Sequence, residues 1–165
     1  MVNTKTIVAI VAAALIAGLA YRLWWPNDER AIRNQLALIE QVGTKAEAEP
    51  PMEGLVKATR LAALFSDPCR LTVESVQHDG AYPRKQIQER ILMARSSFPT
   101  LAVSLHDVAI ERLDARAAAV RATLRLRGKG TGEPLAAAQE LTAELAKVDG
   151  QWLFTAVTLV EVVGQ

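Results

Sequence analysis

The sequence predicts an α+β protein in which an antiparallel sheet packs on three helices, preceded by one transmembrane helix. Residues 141–163 alternate as two long strands around Asp149-Gly150, two residues that both tolerate the positive φ of a type I′ turn. The second of these strands is apolar on both faces, which indicates that it is covered twice. Segments with helical spacing precede the strands, and the first segment of the chain is almost free of charge.

Composition indicates a single globular domain after the first segment. The chain has 165 residues, 50% of them hydrophobic, with 19 basic and 18 acidic side chains. A net charge of +1 lacks the basic footprint of nucleic-acid-binding proteins. Cys69 is the only cysteine, which excludes an intrachain disulfide. We therefore expect one domain, residues 27–165, with no nucleic-acid partner.

Residues 1–26 form the predicted membrane anchor. Residues 7–21 carry no charge, and the helix reaches across a bilayer core of about 30 Å once it extends to residue 25. Seven Ile, Leu and Val side chains in residues 7–19 contribute roughly −2 to −4 kcal/mol toward insertion. The residues assigned to the anchor, including two tryptophans suited to the membrane interface, are Ile7, Ile10, Leu15, Leu19, Trp24 and Trp25.

A cleaved signal peptide is the alternative for the same residues. Gly18-Leu19-Ala20 offers small residues near a cleavage position, but Lys5 is the only charged side chain before the apolar run. Arg22, Arg30 and Arg33 follow the run, so the distribution of basic residues does not favour export of the domain. We still expect a single-pass protein of a bacterial inner membrane with its domain on the periplasmic side, because short N-terminal anchors usually serve export.

Three helices are expected in the domain. The first lies between Pro26 and Gly43, with Asn27 as its N-cap, and the second is closed by Asp67-Pro68. The third opens at Pro83, because a proline at the first helical position loses no hydrogen bond. Its basic residues predict a solvated face, with anionic lipid head groups as the alternative. The row facing the core is Ile87, Ile91, Ala94 and Phe98, and the basic row is Arg84, Lys85, Arg90 and Arg95.

A short strand at residues 70–76 precedes the third helix, and four strands follow it. Leu101, Val103 and Leu105 alternate, and the alternation resumes out of phase after His106-Asp107, which predicts a β-bulge. Residues 115–127 form the clearest strand, with one apolar row and one row that contains arginines.

The arginine row is expected to be neutralised within the sheet. If residues 128–135 close a hairpin, pairing Leu124 with Leu141 places Arg125 opposite Glu140 and Arg121 opposite Glu144. Such pairs are ordinary sheet stabilisers, so the pattern favours a solvated face over phosphate binding. Residues 128–132 are rich in glycine but lack phosphate-loop spacing and lead into no helix, which predicts a hairpin tip.

No catalytic, metal-binding or cofactor-binding motif is present in the sequence. His78, His106 and the single cysteine match no metal-ligand spacing. The pair His106-Asp107 is the best acid–base candidate, because neighbours at a bulge can both turn inward. Alternatively, one of them faces solvent and the other forms a hydrogen bond with unpaired backbone at the bulge. Cys69 is interpreted as a small packed residue. The candidate polar residues of an internal pocket are Cys69, Tyr82, His106 and Asp107.

The chain resembles the nuclear transport factor 2-like family, in the cystatin-like superfamily of ketosteroid isomerases, polyketide cyclases and scytalone dehydratases. The resemblance rests on the helix at residues 29–42, the segments 64–67 and 78–80, and above all residues 147–152, KVDGQW. It implies a cone, in which a curved sheet wraps on helices around an apolar pocket, and pairing through the outer sheet face. An isomerase of this type needs a Tyr and acid pair, and only Tyr21 and Tyr82 are present.

We therefore expect a noncatalytic domain that binds a protein partner or a second copy of itself through the outer sheet face. The alternative is a binder of small hydrophobic molecules, or an isomerase-like or cyclase-like enzyme, that uses the pocket. No catalytic residue, cofactor or metal is assigned. The candidate interface is the outward row of the last strand, Leu153, Val157, Leu159 and Val163.

Overall fold

The computed structural model describes residues 4–130 and 134–161, without the side chains of residues 4–11, 17 and 19–26. It divides the chain into two compact units, residues 1–34 and 35–165. Helix α1 is Thr4–Gly43, α2 is Pro51–Ala62 and α3 is Arg84–Ser96. The predicted break at Pro26 is wrong, since α1 runs through it. Proline has no backbone N–H, so α1 loses one hydrogen bond at this position but continues past it.

Six strands form one curved sheet in the second unit. They are β1 Phe65–Val73, β2 His78–Tyr82, β3 Thr100–Arg112, β4 Ala117–Lys129, β5 Leu135–Val148 and β6 Gln151–Glu161, in the spatial order β2-β1-β6-β5-β4-β3. The sheet is not wholly antiparallel, because β1 and β6 pair in parallel. Strand β2 was not predicted. A short 3₁₀ turn, Glu74–Val76, and the positive φ of Gln77 reverse the chain before Asp79-Gly80.

The hairpin of β5 and β6 forms as predicted. Asp149 and Gly150 have φ values of 49° and 79°, and Val148 pairs with Gln151 across this two-residue loop. The predicted bulge in β3 is also confirmed, because the pairing with β4 shifts between His106 and Ala109. A second bulge lies in β6, where Leu145 pairs with Phe154 but Glu144 pairs with Ala156. Thr155 is the extra residue, and the alternation of β6 changes phase there.

The inner face of the sheet carries the core. Trp152 and Phe154 are buried, as the fold prediction requires, and the Phe65 and Phe154 ring centroids lie 5.7 Å apart. Gln35 donates its side-chain amide to the carbonyl oxygen of Trp152, which ties residue 35 of α1 to β6. Below the inner face, Cys69 and Ile87 pack with neighbouring apolar residues from α2, α3 and β1. Burial of this face supplies the main stabilisation of the second unit.

The end of α1 covers the outer edge of strand β3. The backbone N–H of Leu105 donates to Glu40 Oε1 at 2.6 Å, and that of Val103 donates to Thr44 Oγ1 at 3.2 Å. Lys45 and Leu101 exchange backbone hydrogen bonds of 2.6 and 3.0 Å. These bonds satisfy groups that an edge strand otherwise leaves open.

The pairing of β4 and β5 differs from the prediction by two residues. Leu124 lies opposite Gln139 instead of Leu141, and Arg125 lies opposite Ala138 instead of Glu140. A shift of two keeps every side chain on its predicted face, because the side-chain period of a strand is two. The predicted pairs of Arg125 with Glu140 and of Arg121 with Glu144 are therefore wrong, although Glu140, opposite Thr123, stays on the same face as the two arginines. Within the described residues, Arg121 and Arg125 make no ion pair.

Candidate functional site

An apolar cavity of about 270 Å³ lies between the inner sheet face, α3 and the end of α1. An engineered cavity of roughly 150 Å³ admits benzene, so this one has room for a larger apolar molecule. Seventeen residues line it, sixteen of them uncharged and without a polar side-chain atom. They are Leu36, Ile39, Gly43, Leu61, Phe65, Ile91, Ala94, Arg95, Leu101, Val103, Leu105, Leu124, Leu126, Leu141, Ala143, Phe154 and Val157.

The inner faces of the central strands are less covered than those of a filled core. Leu105 and Leu126 are half-buried although both point to the helix side of the sheet, and the same holds for Leu141. Close-packed interiors leave few voids larger than a water molecule. The partial exposure of these large aliphatic side chains therefore agrees with a cavity next to them.

Among the described residues that line the cavity, Arg95 is the one that carries a charge, and it belongs to a buried polar cluster. Its Nη1 donates to the carbonyl oxygens of Val42 and Gly43 at 2.8 and 2.9 Å, which caps the last turn of α1. Its Nη2 donates to both carboxylate oxygens of Glu49, at 2.6 and 2.8 Å. The two side chains are only 6% and 3% exposed. Lys57 Nζ lies 2.7 Å from Glu49 Oε2 and 2.7 Å from Glu53 Oε1.

The cluster shifts the pKa of its titratable members toward their charged forms. Burial by itself raises the pKa of Glu49, but hydrogen bonds from Lys57 and Arg95, together with their charges, lower it overall below 4.5. Hydrogen bonds to Glu49 and Glu53 raise the pKa of Lys57 above 10.5. Glu49 is therefore ionised at neutral pH, and its contribution to stability is lost only as pH falls through its lowered pKa.

None of the four predicted polar pocket residues lines this cavity. His106 and Asp107 are exposed at the β3 bulge, and His106 Nε2 lies 3.1 Å from Ser104 Oγ. Neither residue turns inward, and both are exposed, whereas the alternative expected only one of them to face solvent. Asp107 adopts a φ of 53°, a conformation that Asp tolerates, and this turns the chain at the bulge.

Cys69 lies in β1 and Tyr82 in β2, the edge strand at the opposite end of the sheet from β3, which carries His106. The Tyr82 hydroxyl bonds His78 Nε2, and the Arg90 guanidinium stands 4.4 Å from the Tyr82 ring centroid. Cys69 is fully buried, and burial raises the pKa of its thiol to about 11, as expected for a small packed residue. These residues form no acid–base pair inside the cavity.

The predicted outer row of β6 is split by the bulge at Thr155. Val157 lines the cavity, and Leu159 lies opposite Leu141, another cavity residue, so both are on the inner face. Leu153, which precedes the bulge and lies opposite Ala146, is on the outer face. The candidate interface is therefore corrected for Val157 and Leu159. Val163 lies outside the described residues.

Most of the predicted anchor residues fall where side chains are not described, namely Ile7, Ile10, Leu19, Trp24 and Trp25. Leu15 is described, and it is exposed, as is its neighbour Ile16. Within the described residues, no helix carries an apolar stretch of the length needed to cross a bilayer.

The basic row of α3 is engaged within the domain. Arg95 is buried, Arg90 covers the Tyr82 ring, and Arg84 donates to the Phe65 carbonyl oxygen at 3.0 Å. Lys85 and Arg90 are the exposed members of the row. In the part of the chain that the structure describes, no three His, Cys, Asp or Glu side chains come together as metal ligands.

The sequence does not indicate that Arg95 lies in the cavity wall or that Glu49 is its buried partner. Arg95 lies four residues after Ile91 and eight after Ile87, on the buried stripe of α3, and that spacing was the available signal. Glu49 lies in the loop before α2, where no periodicity identifies an inward side chain.

No protein-family model and no curated protein matches the chain. Solved structures do match. A nuclear transport factor 2-like protein with a cystatin-like fold from Novosphingobium aromaticivorans gives a TM-score of 0.69 at 15% identity, covering 90% of this chain and 91% of that one. A hexachlorocyclohexane dehydrochlorinase from Novosphingobium barchaimii gives 0.64 at 15% identity, covering 87% and 96%.

A third match is a protein of unknown function with a cystatin-like fold from Nostoc punctiforme, with a TM-score of 0.61 at 11% identity and coverage of 83% and 92%. These likenesses establish the fold. The chain has the nuclear transport factor 2-like, cystatin-like fold, which confirms the resemblance found in the sequence.

Proposed function

We propose that the domain binds a small apolar molecule in the cavity and does not transform it. The observation that carries this proposal is the lining, which offers hydrocarbon on all sides and room for a molecule larger than benzene. An unfilled apolar cavity forfeits dispersion contacts with its walls, and an apolar ligand restores them. Binding of this kind needs no residue beyond those described.

The lining also argues against chemistry at this site. General acid–base catalysis needs a titratable group within hydrogen-bond reach of the substrate. Among the described lining residues only Arg95 ionises, and its two terminal nitrogens are engaged with Glu49 and with carbonyl oxygens of α1. The acid–base candidates His106 and Asp107 are exposed outside the cavity. A binding role therefore fits these residues better than an isomerase-like or cyclase-like one.

Titration of the full chain with naphthalene, followed by methyl NMR, tests this proposal. We expect the methyl signals of Leu105, Leu141 and Val157 to shift, because these side chains line the cavity, while that of Leu153 on the outer face stays unchanged. Ala143→Phe places a ring in the cavity and should weaken naphthalene binding at least tenfold.

Ala138→Phe is the matched control, since it makes the same substitution in the same strand on the exposed outer face opposite Arg125. It should leave binding unchanged, and a denaturation curve checks that both variants are folded. Equal naphthalene affinity in the two variants, or shifts confined to Leu153, would show that the cavity is not the binding site.

We also propose that residues 1–26 hold the chain in a membrane. The support is the uncharged run at residues 7–21, together with Leu15 and Ile16, whose side chains are 63% and 68% exposed in α1. A charge near the helix centre costs about 2.5 to 3.5 kcal/mol, which offsets most of the roughly 2 to 4 kcal/mol expected to favour insertion.

Leu15→Lys is therefore expected to release the chain from membranes during alkaline carbonate extraction, while the unaltered chain and Leu15→Ala stay in the pellet. Intact-mass measurement of the extracted chain distinguishes an anchor from a cleaved signal peptide. Release of the unaltered chain would contradict the anchor. The periplasmic location and a protein partner or homodimer stay predictions, and Leu153 is the described interface residue that remains on the outer face.

A further inference from the structure

We propose that the exposed apolar face of α2, formed by Met52, Leu55 and Val56, lies on the surface of a bilayer. The inference rests on the proposed membrane anchor, because residues 1–26 would hold the domain close to that bilayer. It goes beyond the anchor, since it gives the domain itself a membrane contact. The observation that carries it is that the large apolar side chains of α2 point to solvent.

Helix α2 presents its larger apolar side chains to solvent and its smaller ones to the core. Met52, Leu55 and Val56 are 71%, 40% and 52% exposed, whereas the buried residues of the helix are Ala58 and Ala62. The spacing of three and four residues places the three large side chains on one face of the helix. Single exposed apolar residues are common, but a contiguous group marks a contact with a protein or a membrane. We therefore expect this face to be covered.

The charged residues of α2 are compatible with a bilayer surface. Glu53, the only carboxylate of the helix, lies 2.7 Å from Lys57 Nζ, so its charge is balanced within α2. Arg60 is exposed and, within the described residues, forms no ion pair. Helices that lie in the membrane interface combine an apolar face with basic residues on the polar face. Helix α2 has this combination.

The length of the tether favours a bilayer over a protein as the partner of this face. Nine residues lead from residue 26 to residue 35, where the second unit begins, and even fully extended they span at most about 30 Å. That distance is roughly the diameter of a small domain. A domain tethered so closely meets the bilayer at a high effective concentration.

The apolar cavity gives a second reason for a bilayer. Leu61 of α2 and Ile91 of α3 line the cavity, so the helix that carries the exposed face also forms part of the cavity wall. Apolar molecules leave water for apolar surroundings, so a ligand of the proposed kind concentrates in bilayers. Contact through α2 would hold the cavity next to that supply.

A nitroxide attached at Val56→Cys in the full chain tests this inference by electron paramagnetic resonance. Cys69 is fully buried, so it stays unlabelled. In phosphatidylcholine vesicles we expect the label to become accessible to oxygen, which concentrates in the bilayer, and protected from a water-soluble nickel chelate. A label at Ala138→Cys, which is exposed on the outer sheet face, should stay accessible to the chelate.

Met52→Gln combined with Leu55→Gln removes two apolar side chains and keeps the label at Val56→Cys. We expect the ratio of docked to undocked domain to fall at least tenfold, because burial of one large apolar side chain favours transfer out of water by about tenfold or more. Val76→Gln combined with Leu113→Gln is the matched control, since both are exposed apolar residues outside α2. It should leave docking unchanged, and urea denaturation checks that the variants are folded.

Vesicles that hold fewer than one chain on average distinguish the bilayer from a second copy of the chain. A label at Val56→Cys that stays protected at this dilution supports the bilayer. Protection that requires several chains in one vesicle shows that a second copy covers α2 and overturns the proposal.

The outcomes also separate this inference from the anchor. A label at Val56→Cys that stays in water on chains that sediment with the vesicles overturns the docking and leaves the anchor intact, as do equal losses in the two double variants. Chains that do not sediment with the vesicles overturn both. If the glutamine variants do not fold, the two labels in the otherwise unaltered chain still decide.

Discussion

Glu49→Ala is expected to lower the free energy of unfolding by about 3 to 5 kcal/mol, the usual loss when one member of a buried ion pair is removed. The guanidinium of Arg95 would keep its carbonyl partners on α1 but would lose the carboxylate that neutralises it in a buried position. Lys57 would lose its buried partner as well. Urea denaturation of the full chain, read by tryptophan fluorescence, measures the change.

Glu53→Ala is the control, because it removes the other carboxylate that binds the same lysine. The Glu53 side chain is 51% exposed, and exposed pairs contribute about 0 to 1 kcal/mol. Each substitution removes one carboxylate that pairs with Lys57. The difference between the two losses of unfolding free energy therefore measures the effect of the burial of Glu49 and of its contact with Arg95. Losses of equal size would show that the pair of Glu49 and Arg95 does not stabilise the domain as its geometry indicates.

The features that the sequence predicted correctly are those with local physical causes. Asp149-Gly150 forms the predicted turn because two consecutive positive φ angles are tolerated by few residue pairs. The bulge at His106-Asp107 is visible in the sequence, since apolar residues on one side of it occupy odd positions and on the other side even ones. The turn and the bulge can both be recognised from the residues next to them, without reference to distant parts of the chain.

The features that were mispredicted depend on contacts between distant segments. The register of β4 on β5 is degenerate in steps of two residues, so alternation defines the faces and leaves the partner of Leu124 open. The bulge at Thr155 left no mark in the sequence, because β6 is apolar on both faces and a change of phase exchanges one apolar row for another. A bulge can be recognised in the sequence of an amphipathic strand, because the apolar residues change from odd to even positions. In a strand that is apolar on both faces, no such change can be seen.

In the cavity, too, the features with local causes were predicted and those that depend on distant segments were not. The sequence predicts apolar rows on β4 and α3 that face the core, and part of each row lines the cavity, namely Leu124, Leu126, Ile91 and Ala94. It does not predict which polar side chain reaches that interior, because Arg95 is placed by carbonyl groups of Val42 and Gly43, about fifty residues earlier in the chain. The bulge made His106 and Asp107 the acid–base candidates, because neighbours at a bulge can both turn inward, but both side chains are exposed.

Val157→Glu is expected to lower the free energy of unfolding by roughly 3 kcal/mol or more, because the bulge at Thr155 turns this side chain into the apolar cavity, where a carboxylate has no partner. Thr158→Glu, one residue later, should cost less than about 1 kcal/mol, since Thr158 lies on the outer face opposite Thr142. Thermal and urea denaturation of the two variants compare neighbouring positions that receive the same side chain.

The pair of variants also decides between two accounts of β6. Uninterrupted alternation from Leu153 places Val157 on the outer face, as the sequence predicts, and then Val157→Glu would be tolerated while Thr158→Glu would be destabilising. The bulge reverses that order. Since Leu159 follows Val157 on the inner face, a large loss for Val157→Glu also means that two of the predicted interface residues line or adjoin the apolar cavity. A partner on the outer face would then meet Leu153 with Ala156, Thr158 and Val160, a smaller and more polar row than alternation predicts.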